Sequence, residues 1–483
     1  MPSTFGTYSV SYSGMYVSHA ALTATTNNLA NVSTAGASRV RVASSDTSTT
    51  LTDGTTTTGG VSVASITRAR DRLLDATYRT QNADAGYWSV KSGDLEYMQE
   101  ILNEFTADDG TSGDGLQELV NSFFASWNSL ATDTTSTGAR QQVVDSANSL
   151  ISGLTEIYSQ LQQLQSDAVN GVADGVDSLN SLAGQVAELN GQIALAELGG
   201  AEASYLRDQR DSLLDQMSAL ANISTAETSS SFQVTLNGAT LVSGTTVNRL
   251  TVSGTGTTDN PLTVTWADSG KGASITSGSI AAYLEDADQT GNTAIDSASL
   301  PYDYSADAVS SITNMMQALN DLLTTVATAI NSLQTANGGE AFFTAADAAN
   351  PLSIDNIQVN PSVAADTSLI VTGTAAGDNS VATAVYDLGD EDIFKVDGLA
   401  MDLGEFYQAF VSWLGTAGDN AAGSYETQAA LVSQVDSQRQ SIYSISLDEE
   451  MSNLIVYQEA YNANARVLST IDGLIGDLIE DLG

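Results

Sequence analysis

The sequence predicts a mainly α protein: an elongated helical bundle with terminal coiled-coil helices from both chain ends and an inserted small antiparallel β domain. Three observations predict this class. Both chain ends carry apolar residues every seven positions, which places a narrow apolar seam along a helix that needs a partner helix. Residues 3–260 contain no proline, so long uninterrupted helices are allowed there. Between Ile223 and Ile280 the hydrophobic period changes to two, as expected for strands.

The two terminal seams form the predicted assembly interface. Near the N-terminus the seam consists of Tyr8, Met15, Leu22 and Leu29. Near the C-terminus it consists of Leu447, Leu454, Tyr461, Leu468, Ile475 and Leu482, interleaved with Tyr457, Ile471 and Leu478. Asn464 lies on this second seam, where a polar residue commonly fixes the register of a coiled coil. Each seam is predicted to pair with the other or with neighbouring subunits. Because each exposes an apolar stripe when unpaired, we expect the terminal segments to be disordered in the monomer.

A helical body is predicted between the termini. Apolar residues at steps of three and four run from 143 to 196, with Gly171 and Gly175 marking the expected kink. Shorter amphipathic stripes are predicted to pack with this helix, and they cover residues 95–105, 116–130, 206–217 and 309–333.

The β segments follow from alternation and turn residues. Phe232, Val234 and Leu236 alternate with polar residues and lead into Asn237-Gly238, a signal for a type I′ hairpin. Further strands are predicted at 250–252 and 262–266, and short ones around Ile354, Ile357, Val359 and 369–371. Residues 44–60, rich in Ser, Thr and Gly, are predicted to form a flexible or extended connector.

These segments predict four domains. The ranges are 1–43 plus 440–483 for a terminal coiled-coil core domain, 61–222 plus 285–345 and 401–439 for a helical bundle domain, 223–284 for the inserted β domain, and 346–400 for a small mixed insertion.

Composition narrows the possible partners. The chain has 15 Lys and Arg against 58 Asp and Glu, a net charge of −43, so nucleic acids and anionic lipids would be repelled. Cysteine is absent, and no stretch of eighteen apolar residues or basic leader followed by an apolar core is present. We therefore predict no nucleic-acid binding, no membrane insertion and no cleavable secretory signal. Eight cations fall within the first 140 residues, where partner charges are expected to be met: Arg39, Arg41, Arg68, Arg70, Arg72, Arg79, Lys91 and Arg140.

Catalytic chemistry finds little support in the sequence. His19 is the only histidine and is expected to be a half-buried helix residue, so a His metal cluster is excluded and a Ser-His-Asp triad is disfavoured. The acids Asp387, Asp390, Glu391 and Asp392 could serve a glycosidase or bind calcium. Acidic pairs arise by chance in such a chain, however, and the EF-hand spacing is missing. Gly254-Thr-Gly256 is expected to be a turn. We predict no enzyme activity, catalytic residue, metal or cofactor.

Both terminal segments resemble a known family. Residues 20–36, with Asn27-Asn28-Leu29-Ala-Asn31 followed by Gly36, resemble the N-terminal signature of flagellar rod, hook and hook-associated proteins. Asn caps helix ends, and Gly36 permits the chain reversal that follows. Residues 445–468, with Leu447-Asp-Glu-Glu and Tyr457-Gln-Glu-Ala-Tyr461, are similar to the companion C-terminal signature. Ala35, Ala37 and Ser444 stand where the family usually has Pro, Tyr and Gly, and the first two lie in the turn after the first helix.

Three internal segments are similar to the hook-associated proteins that join hook to filament. They are 206–218, with Leu-Arg-Asp-Gln-Arg-Asp, 278–284, with Gly-Ser-Ile-Ala-Ala-Tyr-Leu, and 326–343, which ends in Gly-Gly-Glu-Ala-Phe-Phe. The resemblance implies a structural axial component of the bacterial flagellum that forms the junction ring between hook and filament. Two alternatives stay open: another axial subunit of hook or filament type, and a flagellum-borne carboxylate-dependent hydrolase.

The resemblance also implies partners and a location. The implied partners are copies of the same chain, hook protein, the next hook-associated protein, a cytoplasmic export chaperone on the C-terminal helix, and the flagellar export apparatus. The protein would be cytoplasmic before export and extracellular afterwards.

Overall fold

The structure, a computed structural model, describes residues 4–50, 56–102, 115–228, 231–257, 259–287, 300–304, 311–396 and 398–482. The fold is mainly α with small sheets, as predicted. The α-helices are α1 Thr4–Ala30, α2 Arg72–Leu102, α3 Leu116–Thr132, α4 Thr137–Ala196, α5 Ser204–Leu220, α6 Ser279–Ala287, α7 Ile312–Ala336, α8 Pro361–Ala365, α9 Ser380–Asp387, α10 Leu403–Tyr443 and α11 Leu447–Leu482.

The strands are short except for the first two. They are β1 Val40–Thr50, β2 Thr56–Arg68, β3 Ile223–Glu227, β4 Phe232–Leu236, β5 Ala239–Ser243, β6 Thr246–Val247, β7 Leu250–Ser253, β8 Thr263–Trp266, β9 Tyr302–Tyr304, β10 Phe343–Ala345, β11 Ile357–Val359, β12 Phe394–Val396 and β13 Leu399–Met401. Short 3-10 helices lie at Glu197–Gly199 and Thr367–Leu369. The sheets have the orders β1-β2, β3-β4-β5-β6, β7-β8, β10-β11 and β13-β12-β9, and pairing is antiparallel except between β12 and β9.

The chain divides into two compact units. Unit 1 comprises Met1–Ala83, Leu179–Arg249 and Ala429–Gly483, and unit 2 comprises Asp84–Ser178 and Leu250–Gln428. These boundaries differ from those of the four predicted domains, which stay a prediction. The strands between 223 and 266 form one sheet in unit 1 and a separate hairpin in unit 2.

Unit 1 contains the terminal helices, the long hairpin β1–β2 and the sheet β3–β6. Of the two predicted forms of the connector at 44–60, the flexible form is wrong for the described part, because these residues are extended and pair as strands. Their many threonines are β-branched and suit a pleated strand. The Ser13 hydroxyl of α1 accepts a hydrogen bond from the Val61 amide at 3.1 Å, which fastens the hairpin to α1. The predicted hairpin turn is confirmed: Asn237 and Gly238 have φ of 44° and 83°, as a type I′ turn requires.

Unit 2 has an aromatic core beside a helical one. Phe123, Trp127, Phe342 and Phe343 are buried, and the ring centroids of Phe342 and Phe343 lie 4.8 Å apart in an edge-to-face arrangement. The predicted helical stripes lie within α2, α3, α4, α5 and α7, with Phe105 and Val309 outside the described residues. The strand predicted at 369–371 is not formed. The side-chain amide of Gln334 instead pairs with both backbone groups of Val371, the groups that a neighbouring strand would use.

Gly171 and Gly175 permit close packing inside one uninterrupted helix. α4 is continuous over 60 residues. A Cβ on Gly171 would lie 2.8 Å from the Tyr283 ring, and a Cβ on Gly175 would lie 2.7 Å from Cγ1 of Ile280, which is fully buried. The two glycines thus allow the close approach of α6 to α4, and the kink at these positions stays a prediction.

Gly175→Ala is expected to lower the melting temperature. Alanine adds about 1 kcal/mol of helix propensity, but the contact with buried Ile280 costs about 1–3 kcal/mol. Gly184→Ala is the matched control, since nothing lies within 4 Å of a Cβ at that position of the same helix. Thermal unfolding followed by circular dichroism should show destabilisation for the first variant and none for the second. An equal response of both variants would contradict the packing role.

Candidate assembly site at the chain termini

The terminal helices α1 and α11 pack against each other within unit 1. The expectation that these segments are disordered in the monomer is not met, because each covers part of the other. On α11 the less exposed face carries most of the predicted C-terminal seam, with Ile471 buried and the others half-buried: Leu454, Tyr457, Tyr461, Asn464, Leu468 and Ile475. Leu447, at the first turn, is 52% exposed. Leu478 lies in α11, and its side chain is outside the described part.

The buried face of α1 differs from the predicted seam. Tyr8 is exposed, and Met15, Leu22 and Leu29 are half-buried. The buried positions instead carry small or polar residues at spacings of three and four, namely Ser11, Ser18, Ala21, Ala24, Thr25 and Asn28. Gly14 belongs to the same face, and a Cβ there would lie 2.9 Å from the side-chain amide of Asn464. Small side chains let the helices approach closely. A search for small residues at heptad spacing would have found this face.

Apolar side chains remain exposed on both terminal helices after they pair. On α1 they include Tyr8, Tyr12 and Tyr16, which follow one another at four-residue steps. On α11 they are Leu447, Met451, Ile455, Val456, Val467, Leu474 and Ile479. The intramolecular pair therefore leaves apolar surface of the kind that marks interaction sites.

Asn28, Arg39 and Glu450 join the two terminal signatures, and we refer to them as the terminal cluster. The Asn28 side chain accepts a hydrogen bond from the Val40 amide at 2.9 Å and donates to the Val40 carbonyl at 3.0 Å. The same side chain donates to Oε2 of Glu450 at 3.1 Å, and Nε of Arg39 lies 2.8 Å from Oε1 of Glu450. The Glu450 side chain is only 2% exposed. The carboxylate of the C-terminal signature is thus held by residues that begin and follow the N-terminal turn.

The other signature asparagines have local roles. Asn27 is exposed, and its carbonyl accepts hydrogen bonds from the backbone and the side chain of Asn31. Gly36 has a φ of 77°, which is the left-handed conformation expected at this chain reversal. Its carbonyl accepts a hydrogen bond from Arg70 at 3.2 Å. These contacts fix the turn in which Ala35 and Ala37 depart from the family's pattern.

The internal segment at 206–218 lies in α5 and supplies carboxylates to what we call the arginine network: Arg68, Arg79 and Arg439 with Asp75, Asp208, Asp211 and Asp215. Nη1 of Arg68 lies 2.7 Å from Asp208 and 2.8 Å from Asp211. Arg79 binds Asp211 and Asp215 at 3.3 and 2.9 Å, and Arg439 binds Asp75 and Asp215 at 2.8 and 2.7 Å. Sequence reasoning identified the segment by resemblance only. Its partners lie on β2, α2 and α10.

Electrostatics favours the charged forms of Asp211 and Arg68. Burial by itself raises the pKa of Asp211, but the guanidinium groups of Arg68 and Arg79 outweigh burial and hold the pKa below its ordinary value. Burial likewise lowers the pKa of Arg68, while Asp211 and Asp208 outweigh it and raise the pKa. The network also orders the first turn, because Asp208 accepts hydrogen bonds from the amide and hydroxyl of Ser38 at 2.8 and 2.6 Å.

The clustered N-terminal cations meet their partner charges inside the chain. Six of the eight form ion pairs with acids of the same chain: Arg39, Arg68, Arg70, Arg72, Arg79 and Lys91. Arg140 donates to the carbonyls of Thr367 and Ile370. These contacts are within the chain, so the expectation that the cations meet charges of a partner stays a prediction.

The positions weighed for chemistry show no assembled centre. His19 is exposed rather than half-buried, with its ring centroid 6.3 Å from that of Tyr461. The acids at 387–392 are exposed, and Gly254 and Gly256 have positive φ, as the predicted turn requires. Within the described residues, no group of three His, Cys, Asp or Glu side chains could hold a metal ion. None of the helices described is long and apolar enough to cross a membrane.

Comparisons with known proteins show which families the chain resembles. Residues 95–343 match the family described as flagellar hook-associated protein FlgK helical domain, and residues 444–481 match flagellar basal body rod FlgEFG protein C-terminal. Flagellar hook-associated protein 1 of Bacillus subtilis (strain 168) is 29% identical over 516 residues, covering 100% of this chain and 99% of that protein. The protein of the same name from Escherichia coli (strain K12) is 24% identical over 544 residues, covering 97% and 98%.

A solved structure shares the fold. The flagellar hook junction protein FlgK from Burkholderia pseudomallei matches with a TM-score of 0.60 at 15% sequence identity, covering 76% of this chain and 100% of that chain.

Proposed function

The chain belongs to the family of the flagellar hook-associated protein FlgK, and from that premise we propose that it is a structural axial component of the bacterial flagellum, placed at the junction between hook and filament. The family match covers more than half of the 483 residues. The relatives named hook-associated protein 1 align over nearly their whole length, so the resemblance includes both ends of the chain. The observation that carries the proposal is the pair α1–α11, which joins both terminal signatures and still exposes apolar residues.

The proposed assembly interface consists of the terminal helices and the turn between α1 and β1. Its residues are Tyr8, Met15, Leu22, Asn27, Asn28, Leu29, Asn31, Gly36, Leu447, Leu454, Tyr457, Tyr461, Asn464, Leu468, Ile471, Ile475 and Leu478. Among the exposed residues of the terminal helices, Ile455 and Val456 of α11 are added, because they are 57% and 61% exposed. Burying such side chains against another copy contributes about 25 cal/mol per Å² of apolar surface.

The proposed partners follow from this surface and the family. Copies of the chain would form a ring through their terminal helices, with hook protein on one side and the next hook-associated protein on the other. A cytoplasmic chaperone would cover the exposed apolar side of α11 before passage through the flagellar export apparatus. The final location would be outside the cell, and no nucleic acid or lipid is required.

We also propose that the chain has no catalytic activity, because its relatives carry the names of structural flagellar proteins.

Substitutions at exposed apolar positions of α11 test the function apart from the fold. In a strain that lacks its own junction protein, the wild-type chain should restore filaments and give one labelled spot per flagellum. Ile455→Asp and Val456→Asp should leave the thermal unfolding of the monomer unchanged and abolish filament growth. Gln458→Glu, which adds the same charge at an exposed polar position of α11, should behave as wild type. Normal filaments with both aspartate variants would refute the proposed interface, and label along the filament would indicate a filament subunit.

A further inference from the structure

Three carboxyl groups surround one buried lysine in unit 2. Nζ of Lys91 on α2 lies 3.1 and 3.2 Å from the two carboxylate oxygens of Asp286 on α6, and 3.3 Å from Glu285. The side chains of Lys91 and Asp286 are 5% and 1% exposed. Asp94 lies one helical turn after Lys91. Glu285 is 43% exposed and Asp94 is half-buried, so the fully buried part of the cluster is the pair of Lys91 and Asp286.

Both carboxylate oxygens of Asp286 accept hydrogen bonds, whereas one oxygen of Asp94 has no hydrogen-bond partner. Oδ1 of Asp286 also accepts a hydrogen bond from the Ile312 amide at 3.2 Å, which connects α6 to the start of α7. Oδ2 of Asp94 is buried and has no hydrogen-bond partner. The Asp94 side chain also forms a hydrogen bond with Asp286, and such a contact between two carboxyl groups needs a proton on one of them. An ionised Asp94 would leave the buried Oδ2 unpaired at a high cost, whereas a protonated Asp94 loses its charge and gains a donor.

The groups around Asp94 favour its neutral form. Burial raises the pKa of Asp94 to about 7, and the negative charge of Asp286 acts in the same direction against the opposing charge of Lys91. Asp167 of α4 also raises this pKa. Burial raises the pKa of Asp286 despite its contact with Lys91. The Tyr87 hydroxyl donates a hydrogen bond to Glu285 at 2.6 Å. Burial and then the negative charge of Asp94 raise the pKa of Tyr283 on α6.

We propose that Asp94 carries a proton in the folded protein, and that loss of this proton as the pH rises loosens the packing of α2 against α6. Lys91, Asp94 and Asp286 would thus form a pH-sensitive contact between α2 and α6 within unit 2. This contact includes no residue of the terminal assembly site. In the unfolded chain Asp94 titrates at its ordinary pKa, near 3.8. The folded state therefore binds one more proton than the unfolded state between about pH 4 and pH 7. The stabilisation is fully present below pH 4, is lost as the pH rises to about 7, and changes no further above that.

Asp94→Asn tests the proposal, because asparagine is a neutral isostere of the protonated acid. Chemical denaturation of the full chain should be followed between pH 4.5 and pH 8. Relative to Asp94→Asn, the unfolding equilibrium constant of wild-type unit 2 should rise about tenfold per pH unit between pH 4.5 and 6.5, the slope for one proton. Asp167→Asn is the control, because Asp167 is exposed but also acts on Asp94. This variant should keep most of the pH dependence of the unfolding equilibrium constant. Equal pH slopes for wild type and Asp94→Asn would overturn the proposal.

Hydrogen exchange on the unsubstituted protein gives a second measurement, which does not depend on the folding of a variant. After correction for the intrinsic pH dependence of exchange, amides of α6 and of 84–102 in α2 should open more often at pH 7 than at pH 5. Amides of α3, which contributes no group to the cluster, should not change. Constant protection of α6 across this range would also overturn the proposal.

Discussion

Arg68→Met is expected to lower the free energy of unfolding of unit 1 by about 3–5 kcal/mol. The Arg68 side chain is 9% exposed and reaches Glu202, Asp208 and Asp211 within 3.0 Å. Methionine retains much of the apolar stem but leaves Asp208 and Asp211 in low-dielectric surroundings with fewer positive partners. Breaking a buried ion pair at one partner costs this much because the remaining charges stay desolvated. Denaturation in urea, followed by circular dichroism, measures the loss.

Arg72→Met is the control for Arg68→Met. Arg72 pairs with Glu227 at 3.0 Å, but its side chain is 80% exposed, so water already solvates the charge. An exposed ion pair contributes about 0–1 kcal/mol, so this variant should unfold almost as wild type does. Adding Asp208→Asn and Asp211→Asn to Arg68→Met should recover part of the loss, because the uncompensated charges are removed. A loss below about 1 kcal/mol for Arg68→Met would show that the network contributes little to stability.

Local patterns in the sequence were sufficient for most helices and for one hairpin. The steps of three and four in α4 are set by side chains that bury one face, and most of that face is buried as predicted. α7 is buried on nearly all sides between Ile312 and Ile330, which its pattern did not predict. Asn237-Gly238 could be assigned because few residues adopt positive φ at two successive positions. On α11, large apolar residues lie on the less exposed face, so the heptad search found it.

Contacts between residues that are far apart in the sequence could not be predicted from local sequence patterns. Arg39 and Glu450 form a contact across more than four hundred residues, and neither position shows any periodicity that predicts the other. The small-residue face of α1 was missed because the search considered apolar residues only. The hairpin β1–β2 was missed because residues 44–50 and 56–60, rich in Ser and Thr, lack apolar alternation, although Thr suits strands. The internal segment at 206–218 was recognised by resemblance, but its ion pairs with Arg68 join residues about 140 positions apart, which no local pattern predicts.

Asn28→Ala is expected to destabilise the connection between the two chain ends by about 2–4 kcal/mol. The change removes the acceptor of the Val40 amide and the donor to both the Val40 carbonyl and Glu450. Glu450 would keep Arg39, but its buried Oε2 would lose a partner. Hydrogen exchange should therefore show faster opening of the last turns of α1 and the first turns of α11. In the complementation assay, filament number should fall, because the terminal pair is the proposed assembly site.

Asn27→Ala separates this effect from a general loss of helix capping. Asn27 precedes Asn28 on the same helix, is exposed, and contributes its backbone carbonyl to the turn, so the change should cost about 0.5 kcal/mol or less. Glu450→Gln should lie between the two, since glutamine can accept from Asn28 but forms no ion pair with Arg39. If Asn27→Ala and Asn28→Ala open α1 equally, the hydrogen bonds to Val40 and Glu450 do not hold the ends together. In that case the contacts along α1 and α11, including Gly14 against Asn464, would carry the whole connection.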